Sequence, residues 1–182
     1  MRRLRGFSMI ETMVVVAILA IVIGIAVPSL RTWIADMQVR TKAEAMLNGL
    51  QFARGEALRR NARIAFTLAA DTSWVVGCET AVATDGDGDG VADCPSTIQS
   101  KPAAEAGAEG VSVSILPADA DRATFNGVGM IVDNADGTAT LATVDFASTS
   151  GGSRTYRVVL TAGGQSRICN PAETDATKPE KC

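Results

Sequence analysis

Between Thr12 and Leu30 this 182-residue chain carries no charged side chain. Helical at about 1.5 Å per residue, such a run approaches the ~30 Å hydrocarbon core of a bilayer. Ahead of it stand Arg2, Arg3 and Arg5 with no acidic partner, the asymmetry that keeps an N-terminus on the cytoplasmic side. A transmembrane segment over about residues 10–30 is expected. One acid, Glu11, sits at the start of the apolar run, where an ionised carboxylate is costly unless paired. No small-x-small site follows the run, as a secretory signal peptide would need; the small residue, Gly6, precedes it.

A short basic leader ending in Gly6, then Phe7-Ser8-Met9-Ile10-Glu11 and an apolar helix, resembles the class III signal of type IV pilins and type II secretion pseudopilins. The resemblance implies that a prepilin peptidase removes residues 1–6 by cutting after Gly6 on the cytoplasmic face. Phe7 would then be N-methylated, and Glu11 would pair with the N-terminal amine of a neighbouring subunit in a filament. A buried carboxylate needs a cation, and a newly made ammonium is one. The plainer alternative is a signal-anchor with a stray glutamate at its edge.

Beyond the anchor the chain is long enough for one compact domain of ~120 residues. Formal charge is -3; without the three leader arginines, 14 basic residues face 20 acidic ones, a balance of -6. That argues against nucleic-acid binding over the whole surface, though not against a local patch. There is no histidine, which excludes histidine-based catalysis and histidine-ligated metals. No nucleophile–base pair and no phosphate-binding glycine loop beside a lysine stands out, so the chain reads as a non-enzyme. Cys78, Cys94, Cys169 and Cys182 all follow the membrane segment. Four cysteines on the exported side allow three disulfide connectivities, of which sequence neighbourhood favours Cys78–Cys94 and Cys169–Cys182.

Pro28 removes one helical hydrogen bond and favours a bend. A second helical half follows, with Val39, Ala43, Met46, Leu47, Leu50, Ala57 and Leu58 at helical spacing and charged residues largely between them. That apolar stripe needs cover, which the following domain would supply. Gly49 and Gly55 weaken the helix locally. Arg54, Arg59, Arg60 and Arg63 could hold phosphate, but a solvated face near a helix C-terminus is the favoured reading. After Asn61 the period becomes alternating. Strands are expected near Ile64–Leu68, Trp74–Gly77, Val111–Ile115, Thr140–Phe146, Tyr156–Leu160 and Ser166–Cys169. Asn126-Gly127, Asp136-Gly137, Gly151-Gly152 and Gly163-Gly164 punctuate them.

Two stretches in the head could carry chemistry. Asp85, Asp87, Asp89, Gly90 and Asp93 match positions 1, 3, 5, 6 and 9 of an EF-hand-type calcium loop, where alternate residues turn oxygen ligands inward. Position 12, which should be a bidentate glutamate, is Ser96, and no flanking helices are visible. A solvated acidic turn held by a disulfide is therefore favoured over weak calcium binding. The second stretch is Gly164-Gln165-Ser166-Arg167-Ile168-Cys169. It resembles the Gly-Arg-x-Arg approach to a cysteine of FimT-like minor pilins linked to DNA uptake, where the arginines contact phosphates. Here Gln165 stands in place of the first arginine, and aromatics for base stacking are scarce. DNA binding through Arg167 is accordingly not favoured over an edge strand with a disulfide-tied tail.

The expected fold is α+β and type IV pilin-like. A helix over residues 7–61 would pack on an antiparallel sheet or small sandwich within a periplasmic head, residues 62–182. The chain resembles the GspH/FimT branch of the pilin family over essentially its whole length. The resemblance implies a minor pilin that helps initiate or cap pilus assembly. The alternatives are a GspH-type minor pseudopilin of type II secretion and a DNA-binding minor pilin. The implied partners are other major and minor pilins or pseudopilins, the prepilin peptidase and the inner-membrane assembly platform. The implied location is the bacterial inner membrane, single-pass, and then the fibre.

Overall fold

A computed structural model of the chain describes residues 8–82, 93–102 and 110–182. Helix α1 (Met9–Arg60) is a single helix of 52 residues. Ser8 caps its start, with Oγ accepting from the Glu11 N–H at 3.3 Å. Asn61, left-handed at φ 48°, ends it by returning its N–H to the Ala57 carbonyl, and Arg59 and Arg60 suit the negative end of the helix dipole. The helix runs on through Pro28.

The two halves of α1 differ in what covers them. Val14, Val16, Ile18, Ile21, Ile23 and Ile25 are all exposed. The most apolar 18-residue window has a mean hydropathy of 2.8 and no buried residue, long and apolar enough to cross a membrane. From Ala35 onward one stripe is buried: Ala35, Val39, Ala43, Met46, Leu50, Ala53 and Ala57, in steps of three and four. Leu58, expected in that stripe, is instead 51% exposed. It lies one position round from Ala57, where the cover ends.

Among the described residues two sheets form, and every pairing is antiparallel. The first contains β1 (Ile64–Leu68), β2 (Trp74–Cys78), β3 (Gln99–Lys101), β5 (Arg122–Phe125) and β6 (Ile131–Val132), in the order β3-β2-β1-β5-β6. The second contains β4 (Val111–Leu116), β7 (Thr143–Ser148), β8 (Thr155–Leu160) and β9 (Ser166–Cys169), in the order β4-β7-β8-β9. Expected strands appear in place, except that β7 begins at Thr143 rather than Thr140 and runs on to Ser148. β3, β5 and β6 were not foreseen.

Helix α1 lies across both sheets, touching β1, β2 and β5 of one and β7, β8 and β9 of the other. Phe66, Phe125, Phe146, Leu141 and Val144 share one core with Leu50. Gly49 serves that packing: a side chain there would run into the rings of Phe66 and Trp74, themselves 5.9 Å apart. At the lower end of the contact, Asp36 Oδ1 accepts from the N–H groups of Ser153 (2.8 Å) and Arg154 (3.0 Å), fixing the β7–β8 turn to the helix. Both expected disulfides are formed, Cys78–Cys94 and Cys169–Cys182. The first ties β2 to the loop preceding β3; the second ties the end of β9 to the tail.

Candidate functional site

Glu11 stands exposed in the first turn of α1, where a carboxylate suits the dipole and where no cation among the described residues pairs with it. Gly6 and Phe7, the expected processing residues, lie outside the described residues, as do Asp85, Asp87 and Asp89. Asp93 is described, and its carbonyl accepts from Arg60 Nη1. Among the described residues no group of three or more acidic or cysteine side chains is arranged to hold a metal.

The arginines near the end of α1 do not form one cluster. Glu56 accepts from Arg59 Nη2 at 2.7 Å and Arg60 Nε at 2.8 Å, and the Arg59 hydrogen bond, ahead of Arg60, holds its carboxyl below the usual range. Arg63 pairs with Glu79 and donates to the Asp133 carbonyl. Glu79 also accepts from the Ala135 N–H at 2.6 Å and from Thr124 Oγ1 at 3.3 Å. Arg59 and Arg63 remain largely exposed, as expected of a solvated face, but each arginine is tied to its own partners, and no shared phosphate site forms among the described residues.

Arg54 points elsewhere. Its Nε donates to the Gly129 carbonyl at 3.0 Å, across to the turn between β5 and β6. That turn packs on the β8–β9 turn: Gly164, at φ 73°, lies so close to the Gly129 carbonyl that any side chain there would strike it. Between α1 and the β8–β9 turn runs a groove of about 580 Å³. Gln51, Arg54, Gly55 and Leu58 form its helical wall, and Thr161 and Gln165 to Arg167 the opposite one. Two arginines line it, with no aspartate or glutamate.

Arg167 is therefore on a groove but not idle. Its Nη1 and Nη2 donate to the carbonyls of Lys181 (3.4 Å) and Cys182 (3.2 Å), beside the Cys169–Cys182 bond. Sequence spacing set Arg54 with Arg59, Arg60 and Arg63 and missed that it shares a groove with Arg167, more than a hundred residues later. An available signal was Gly55, a glycine inside a helix.

The family model described as type II transport protein GspH matches residues 42–164. The chain belongs to the GspH family. The model described as the prokaryotic N-terminal methylation motif matches residues 1–27. No curated protein matches. Among solved structures, the type IV minor pilin FimU of Pseudomonas aeruginosa is similar at 16% identity, covering 76% of this chain and 92% of that one, with a TM-score of 0.47. The minor pseudopilin EpsH of the Vibrio cholerae type 2 secretion system is similar at 15% identity, covering 75% and 99%, with a TM-score of 0.47. GspH-family chains are pilin-like structural subunits that work with other pilins or pseudopilins.

Proposed function

We propose that this chain is a minor pilin-like fibre subunit, held in the inner membrane by α1 before assembly, with residues 1–6 removed there, and without catalytic activity of its own. The observation that carries the reading is the division of α1. The head covers the helix from Ala35 onward, and the apolar half before it is bare. Apolar surface on that scale requires lipid or other helices. A methylation motif over the same residues supports a helix that passes from one to the other. Glu11 then supplies the charge partner for a neighbour's N-terminal amine as the helices pack.

The intact mass of the membrane-extracted protein, with and without prepilin peptidase, tests this. Loss of residues 1–6 plus one methyl group is expected only with the peptidase; an unprocessed chain in both would sink the reading. Glu11→Ala is expected to be cleaved normally yet recovered in sheared fibres at a small fraction of the wild-type level. Wild-type recovery would remove Glu11 from the assembly step.

A minor subunit of a type II secretion pseudopilus is a second reading, favoured by the family whose model matches. The secretion or pilus genes adjoining this one discriminate the two. DNA capture is the weaker third reading, because Arg167 already serves two tail carbonyls. A duplex-DNA shift assay across salt would show at most a shallow salt slope.

A further inference from the structure

The groove beside α1 has a feature that no packing among the described residues explains. Glycine weakens a helix interior relative to alanine, so a helical glycine needs a reason. Gly49 has one in the rings of Phe66 and Trp74. Gly55 does not: a Cβ built there meets nothing within 4 Å. It is exposed and lies in the groove wall between Gln51, Arg54 and Leu58. Any larger side chain at Gly55 would project into the groove without disturbing the fold. Its absence keeps the groove open for something outside the chain.

The chemistry of the lining narrows the occupant. Arg54 and Arg167 make it cationic on a chain of net charge -3. Leu58 in its wall is an exposed apolar side chain (51%), and Gly129, which lies against Arg54 and Leu58, is flanked in sequence by the exposed Val128 and Met130. Arginine is among the residue types enriched at protein–protein interfaces. A polynucleotide would use the arginines and leave the apolar groups wet. The volume falls within the ~300–1,000 Å³ range of clefts that hold a ligand or a short segment.

We propose that this groove docks a segment of a neighbouring pilin-like subunit carrying a carboxylate next to an apolar side chain. The carboxylate would meet Arg54 and the apolar side chain would lie against Leu58 over Gly55. The proposal rests on the fibre-subunit reading and names a surface, far along α1 from Glu11, at which the heads meet.

The test uses the full-length chain in cells that build the fibre, with a photo-crosslinking benzoylphenylalanine in place of Leu58 and the substitutions Gly55→Leu and Gly55→Ala. Gly55→Leu is expected to be processed normally and to melt no lower than wild type. Its fibre recovery should fall by about tenfold, the effect of losing one well-packed docking contact, with Gly55→Ala falling in the same direction by less. Adducts from position 58 are expected on another pilin-like subunit, at a peptide containing an Asp or Glu beside an apolar residue. Full incorporation of Gly55→Leu, or adducts confined to DNA, lipid or an acid-free peptide, would overturn the groove proposal alone. Absence of the wild-type chain from fibres would overturn the subunit reading and this proposal with it.

Discussion

Glu56 shows how a charged residue on a half-covered helix face becomes structural. It is 12% exposed and accepts from two arginines on its own helix. The Arg59 hydrogen bond in particular lowers its pKa relative to an unfolded chain, so its contribution is present above the ordinary glutamate range and lost as pH falls through the folded value. Unfolding free energy of the head, measured with urea, is therefore expected to be flat from about pH 7 to 5 and to fall below about pH 4. Glu56→Gln should remove part of that slope at a cost of about 1 kcal/mol at neutral pH. An unchanged acid limb would show that Glu56 is not a source of it. The same scale explains one misreading of the sequence. Leu58 matches the period of the buried stripe, but burial depends on what lies opposite, and past Ala57 the opposing surface falls away into the groove.

At the scale of elements, legibility followed how much of a signal each one needed. The stripe Val39, Ala43, Met46, Leu50 and Ala57 was readable because one helix face meets one continuous core. β1, β4 and β8 were readable because large apolar residues alternate with small or polar ones in their sequence. β5 was not: in Arg122–Phe125, Ala123, Thr124 and Phe125 are all buried between β1 and β6, so no alternation survives. β3 is three residues of polar edge and β6 only two residues, too short for any period. The groove was invisible because it joins Arg54 to residues more than a hundred positions later. The tail staple is the element most open to test. The Cys169–Cys182 bond closes a loop of 13 residues on which Arg167 also rests. Cys182→Ser is expected to lower head stability by about 2–3 kcal/mol in thermal melts. It should also free the tail to amide exchange while leaving β7 and β8 protected. A melt unchanged from wild type would mean that the Arg167 contacts hold the tail unaided.

For the whole molecule, the division of α1 sets where the chain can be cut. Everything that the head buries begins at Ala35, so a chain starting at Arg31 is expected to be soluble, disulfide-bonded and cooperative in unfolding. A chain starting at Leu47 lacks Val39, Ala43 and Met46 and should fail to fold cooperatively. Circular dichroism of the two, melted side by side, decides it; cooperative melting of the shorter one would show that the sheets need only the end of the helix.

The lower edge of the same contact is the Asp36 carboxylate, gripping the N–H groups of Ser153 and Arg154 where the helix leaves the head. Tension applied below Ala35 meets this latch first, and behind it a helix glued side-on to both sheets. Loaded that way, the contacts bear shear together instead of peeling one at a time. The joint is built to resist the direction from which a helix-held head is tugged.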